Sequence, residues 1–219
     1  MKKRLVIVGG HGSGEIAMAV FEAANEQTDE WEIEGFLSDI GDQGDHLGSH
    51  PIVGGTDEVV DFVDRGYHVH YALHLNAKKK QERVEHFRSL DIPSEALATA
   101  VHPLAHIEPS VSIGDNVVAC AYAGTSFGAR INDHVHLYTA SFVGHDSVID
   151  DFATVAAHSV VGARVLAGEG SHIGLNSTIR EGVQIGRYAI VGMASACLLY
   201  TSPSPRDHLA HLVCRLLLE

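Results

Sequence analysis

The sequence predicts a two-part chain: a small Rossmann-like α/β unit, then a left-handed parallel β-helix of hexapeptide repeats. Three observations predict it. Cut in sixes from Ile107, the first residue of each six is apolar in fourteen of fifteen cases through Val191, with Thr125 the exception. The fifth residue is Ser, Ala or Val in all fifteen, from Val111 to Ser195. Before this register, apolar strand-like runs alternate with helical patterns, the mark of a parallel sheet covered by helices.

The repeat has a physical reading. Three flat strands of six residues make one triangular coil of eighteen, and coils stack through backbone hydrogen bonds along the axis. The first residue fills the prism, and the fifth is expected at a tight corner that admits only a small side chain. Gly takes the second place seven times, and no insertion breaks the register. Fifteen sixes make five coils. The phase is expected to stop after Ala196. The flat, partly apolar faces of such a prism favour a three-fold homo-oligomer.

The N-terminal unit is expected over residues 1–98 and the β-helix over 99–196. Arg4–Val8 reads as a buried strand, followed by Gly9-Gly10-His11-Gly12-Ser13-Gly14 and a helix over Glu15–Glu26 with Ile16, Ala19, Val20 and Ala23 on one face. Trp31–Leu37 is a second strand. Asp57–Arg65 is a helix stopped by Gly66, His68–Leu73 a strand and Ala77–Leu90 a charged helix.

Composition narrows the function. A formal net charge of -13 lacks the surplus Lys and Arg that would bind a phosphate polymer, so nucleic acid is not expected as a partner. Three Cys without CxxC spacing argue against a disulfide framework or a Cys-ligated zinc, and suit a reducing compartment. The four apolar residues Leu5–Val8 are too few for a signal-peptide core, and no run approaches a membrane span. A cytoplasmic protein without membrane insertion is expected.

Two regions could carry chemistry. The loop Gly9–Gly14 joins a strand to a helix, where backbone N–H groups and the helix dipole favour an anion. It fails the dinucleotide fingerprint, because Glu15 stands sixth from Gly10 and His11 third from Gly9. A nicotinamide cofactor is therefore disfavoured, and a phosphate-bearing ligand or an unliganded tight turn remains. Asp39 follows the second strand, where an acid can accept hydrogen bonds from a ribose or sugar hydroxyl or simply be solvated. In the β-helix, His145-Asp146 takes the third and fourth places of its repeat. His suits proton abstraction near neutral pH, and a neighbouring carboxylate orients the ring and favours its charged form. Eighteen residues on, Ala163 stacks over His145 and offers a backbone N–H to a developing oxyanion.

With these motifs, and with VGHDSVIDDFATVAAHSVVGA in the middle coils, residues 3–196 resemble the hexapeptide-repeat sugar acyltransferases that acetylate sialic acids and UDP-linked amino sugars. The resemblance implies an acetyl-CoA-dependent acyltransferase acting on an amine or hydroxyl of a sugar or nucleotide-sugar. It implies His145 as general base and Asp146 as the residue that raises its basicity. Acetyl-CoA, as co-substrate, would lie between two subunits along Thr154, Ala163, Leu175 and Met193, and the Gly9–Gly14 loop and Asp39 would contact the sugar substrate.

Two other functions are open at the level of sequence: a non-catalytic nucleotide-sugar binding or scaffold protein, and a metal enzyme like the gamma-type carbonic anhydrases. The sixteen His prompt the second, but Thr154 interrupts the column of His136 and His172, and no metal is expected. Residues 197–219, Leu-rich and out of phase, read as an atypical tail that resembles read-through sequence.

Overall fold

A computed structural model of the chain describes residues 2–73 and 79–197. They form two compact units. The first runs to Pro103 and takes in Asp115–Cys120; the second comprises Leu104–Gly114 and the chain from Ala121.

The first unit is a five-stranded sheet built from β1 (Lys3–Val8), β2 (Trp31–Leu37), β3 (His46–Leu47), β4 (His50–Gly54) and β5 (His68–Tyr71), in the order β3-β4-β2-β1-β5. β1 pairs in parallel with β2 and β5, and β2 with β4, while β3 is antiparallel to β4. Leu5, Val6, Ile7 and Val8 are all fully buried, as a parallel strand with neighbours on both sides requires. Helix α1 (Ser13–Thr28) begins two residues before the expected start and buries Ala17, Met18, Val20 and Phe21. Phe21 meets Trp31 edge to face, with ring centroids 5.8 Å apart.

The helix expected over Asp57–Arg65 divides into a 3-10 turn at Thr56–Glu58 and a short α2, Val59–Asp64. The strand expected to reach Leu73 ends at Tyr71. Helix α3 spans Lys80–Ser89; the expected start at Ala77 lies outside the described residues. Strand β6 (Ala100–Val101) pairs in parallel with Val118–Ala119. The Asn116 side chain accepts the Tyr71 N–H at 2.7 Å and donates to the Tyr71 carbonyl at 2.9 Å. These bonds tie Asp115–Cys120 to the end of β5.

The second unit is the left-handed β-helix. Two-residue strands recur every six residues from Gly124–Thr125 to Ala196–Cys197, and those up to Thr178–Ile179 pair in parallel with the strand eighteen residues on, as Arg130↔Val148 and Val148↔Leu166 show. From Ile131 onward every first-place residue is buried, and from Ala123 onward every fifth-place residue is buried too. Thr125, the polar exception, accepts the Glu108 N–H on its hydroxyl at 3.1 Å. Buried Ser147 donates to the Gly162 carbonyl at 2.8 Å and accepts the Val165 N–H at 3.0 Å. The inward hydroxyls of Thr125 and Ser147 therefore replace water with backbone partners.

Two expectations need correction. The corner is made by the third and fourth residues, not the fifth. The fourth has φ between 55° and 73° at every repeat from Tyr122 to Ala194. Left-handed backbone costs a non-Gly residue roughly 1–2 kcal/mol, yet Tyr122, Phe152 and Arg164 accept it. The cost is offset because the corner N–H finds a carbonyl of the coil below, as Asp146 to Phe127 and Phe152 to Asp133 (both 2.9 Å) show, and because the chain turns two small or apolar residues inward per repeat. The fifth residue is small because it enters the narrow part of the prism just past the corner. The phase also runs beyond Ala196: Cys197 takes the first place of the next repeat, is buried, and pairs with Ile179. The tail expected to be foreign otherwise lies outside the described residues.

Candidate active site

The turn at His145-Asp146 stands out on the second unit. His145 Nδ1 lies 2.8 Å from Asp146 Oδ2, with the two side chains 48 % and 63 % exposed. A carboxylate only accepts, so in the neutral ring the proton of this bond sits on Nδ1 and Nε2 carries the lone pair. The backbone beneath is fixed. The Asp146 N–H donates to the Phe127 carbonyl, and the His145 carbonyl accepts the Arg164 N–H at 2.9 Å.

Asp146 has room for its carboxylate because the corner residue one coil earlier is Gly128. Its φ is +68°, and a Cβ there would stand 2.7 Å from Asp146 Oδ1. One coil later, Gly162 and Ala163 close over Gly144 so tightly that a Cβ on Gly144 would meet the Ala163 nitrogen at 2.8 Å. The Ala163 carbonyl accepts the Gly182 N–H at 2.9 Å. Among the described residues the Ala163 N–H has no protein acceptor. One corner thus stacks Ala163 and Arg164 one coil above the His145–Asp146 pair.

Leu175 and Met193 lie on a different corner, in the column Thr139, Ala157, Leu175, Met193, held by the bonds from Asn176 to Ala157 (3.1 Å) and Ala194 to Leu175 (2.7 Å). Both are exposed, at 46 % and 70 %. Thr154 lies in a strand between His136 and His172 and is buried. A single copy of the chain does not bring these three residues to His145. Among the described residues, no group of three or more His, Cys, Asp or Glu is placed to hold a metal ion.

In the first unit, Gly9–Gly14 forms the β1–α1 turn at the C-terminal end of the sheet. Gly14 packs against Gly9 so closely that a Cβ would meet the Gly9 carbonyl carbon at 2.9 Å. The Ser13 hydroxyl donates to the Ala72 carbonyl at 2.8 Å. Glu15 closes the helix start by accepting the Gly12 N–H at 3.2 Å, and its other oxygen lies 3.3 Å from His11 Nδ1. This acid at the helix N-terminus faces His11, which is well exposed. Asp39 stands two residues past β2. Its Oδ1 accepts the Thr56 N–H at 2.8 Å and its Oδ2 the Thr56 hydroxyl at 2.6 Å. Thr56 was not singled out from sequence; its partner in the carboxylate is seventeen residues away.

The chain superposes on the acetyltransferase domain of PglB from Neisseria gonorrhoeae with a TM-score of 0.77 and 24 % identity, covering 90 % of this chain and 92 % of that one. PerB from Caulobacter crescentus, in complex with CoA and GDP-perosamine, matches with a TM-score of 0.75 and 22 % identity over 89 % of this chain and 88 % of its own. WeeI from Acinetobacter baumannii gives 0.71 and 21 %, over 90 % and 92 %. These likenesses establish the fold. No protein-family model matches the sequence, and no curated protein matches it.

Proposed function

We propose that this chain transfers an acetyl group from acetyl-CoA to an amine or hydroxyl of a sugar or nucleotide-sugar, and that it belongs with the hexapeptide-repeat sugar acyltransferases. The observation that carries the proposal is the 2.8 Å His145–Asp146 bond on an exposed corner, one coil below the unengaged Ala163 amide. The PglB domain has also been solved with acetyl coenzyme A, and PerB with CoA and GDP-perosamine. Those ligands favour a nucleotide-linked amine as acceptor here.

The chemistry follows from the corner. Nε2 of His145 removes the proton as the acceptor nitrogen or oxygen attacks the thioester carbonyl carbon. Asp146 holds the Nδ1–H tautomer and stabilises the imidazolium that forms. The carbonyl oxygen becomes an oxyanion and accepts the Ala163 N–H. The intermediate collapses, the C–S bond breaks, and CoA leaves as a thiolate that takes the proton from His145. No acyl-enzyme forms, and the acetylated sugar and CoA balance the reaction. In the first unit, Gly9, Gly10, His11, Gly12, Ser13, Gly14 and Asp39 are assigned to the nucleotide-sugar. Thr154, Leu175 and Met193 are assigned to acetyl-CoA.

The proposal includes a homotrimer, because the acetyl-CoA residues lie away from His145 in one chain and a neighbouring copy would supply them. The outward-facing Phe142 and Val160, each about 40 % exposed on one face, support association. Work in the cytoplasm on polysaccharide precursors completes the reading; the three Cys have no CxxC spacing, and among the described residues no helix is long and apolar enough to cross a membrane.

The test is release of free CoA thiol from acetyl-CoA against a panel of nucleotide-linked amino sugars and sialic acids. His145→Ala should lower kcat by about 10²–10⁴-fold, the usual contribution of a positioned base. Transfer at the wild-type rate in that variant would remove His145 from the chemistry.

A further inference from the structure

The corner that carries the site reads Phe127, His145, Ala163, Glu181 from one coil to the next. Phe127 is 68 % exposed. An isolated exposed apolar side chain is ordinary on a protein surface, so its position has to carry the argument. Tyr122, Leu175 and Met193 are also open, but they belong to another corner. Phe127 stands one strand spacing, about 4.8 Å, below the base.

Its backbone is held at four points. The Phe127 carbonyl accepts the Asp146 N–H at 2.9 Å, and the Ser126 N–H donates to the Val143 carbonyl at 2.9 Å. The Gly128 N–H donates to Ser110 Oγ at 3.0 Å, and the Ala129 N–H to the Ser126 carbonyl at 3.3 Å. A large ring on so fixed a turn loses little freedom on contact with a ligand, which suits a binding platform.

The direction of attack assigns the ligand. With the thioester oxygen on the Ala163 amide, the acyl group lies on that side of His145. The nucleophile sits between the carbonyl carbon and Nε2, so the rest of the acceptor extends away from the acyl group, and on the side of His145 opposite Ala163 this corner presents the exposed Phe127. We infer that Phe127 is the acceptor platform: its ring packs against the C–H face of the hexopyranose that carries the reacting amine or hydroxyl, and sets which sugars are accepted. A pyranose presents polarised C–H groups on its faces, and these match the negative face of an aromatic ring. The inference rests on the acetyl-transfer reading above.

The test is steady-state kinetics of the full chain with acetyl-CoA and nucleotide-linked amino hexoses, for the wild type, Phe127→Ala, Phe127→Leu and Phe127→Tyr. Phe127→Ala should raise the acceptor KM by about tenfold or more, with the acetyl-CoA KM within about twofold of wild type. Phe127→Tyr, which keeps the ring, should recover the acceptor KM to within about twofold, and Phe127→Leu should not. An acceptor KM unchanged in Phe127→Ala overturns the platform and leaves acetyl transfer standing. A rise confined to the acetyl-CoA KM overturns it by placing the ring on the donor. Loss of the native mass in size-exclusion chromatography, in step with activity, overturns it by making Phe127 an assembly residue. A wild type that releases no thiol with any sugar, although it binds one, removes the acetyl-transfer reading and the platform with it.

Discussion

Gly128→Ala separates the orientation of the base from the stability of the fold. The new methyl would stand 2.7 Å from Asp146 Oδ1 and 3.7 Å from its Cγ. Ordinary contact needs more than 3 Å, so the carboxylate must retreat by about half an ångström. Its 2.8 Å bond to His145 then lengthens to about 3.3 Å and weakens. The atom that moves is the end of a side chain, so the packing cost is small. Ala at φ +68° adds about 1 kcal/mol. The catalytic cost is larger: a hydrogen bond to a charged partner contributes about 1.5–3 kcal/mol, or roughly 10–150-fold in kcat. The assay is kcat from thiol release beside the thermal midpoint, for Gly128→Ala, Asp146→Asn and the double variant. If Gly128 acts through Asp146, the double variant should be no slower than Asp146→Asn alone. A kcat within twofold of wild type in Gly128→Ala, or two losses that multiply, would refute the reasoning.

Two further outcomes follow from the same structure. Ala163→Pro removes the N–H assigned to the oxyanion; Ala163 is followed by Arg164 at φ 55°, and a turn with positive φ at its third residue commonly takes Pro at its second. Thiol release should fall by about 10²–10³-fold with the circular dichroism spectrum kept, and wild-type turnover would clear Ala163 of the role. His70 is completely buried, and burial pushes its pKa down to about 4, while its Nδ1 stays bonded to the Ala98 carbonyl at 3.0 Å. The unfolded chain gains that proton near pH 6.5 and the folded chain only near 4, so the contribution is fully present above 6.5 and lost as pH falls. Across that window the loss is about 3 kcal/mol. Urea midpoints of His70→Gln, which keeps a donor, should fall less steeply from pH 6.5 to 4 than those of the wild type; parallel slopes would show that His70 does not titrate in this way.

The β-helix was legible because the same constraint is written fifteen times. A prism that must be filled once per repeat leaves an apolar residue at all first places but Thr125, and no single substitution hides the phase. The location of the corner was less legible. Small side chains at the fifth place mark a narrow interior, which resembles a tight turn when read as sequence. The left-handed corner itself carries Tyr122, Phe152 and Arg164, residues that do not announce positive φ. In the first unit, β3 and β4 went unread. β4 contains Pro51 and ends at Gly54, and β3 is two residues long, so neither carries a periodic signal. The split of Asp57–Arg65 into a 3-10 turn and a short helix turns on Asp39, whose bonds to Thr56 hold the entry to that turn and have no local sequence sign.

The site shows the same division between local and stacked information. His145 and Asp146 are neighbours in sequence, so their pairing could be expected from the residues alone. Ala163 could be reached by adding eighteen. Subtracting eighteen leads as directly to Phe127 and Gly128, but nothing in those residue types marks them. Their meaning lies in the third dimension: an exposed ring on a pinned turn, and a missing Cβ 2.7 Å from the Asp146 carboxylate. Asp39 shows the reverse limit. Its place after a parallel strand suggests a hydroxyl acceptor, yet both its oxygens already accept from Thr56. Each carboxylate oxygen has a second lone pair, so a ligand hydroxyl can be added without breaking those bonds. Asp39 can therefore hold the 3-10 turn and still accept a sugar hydroxyl, with Thr56 fixing the direction in which its free lone pairs point.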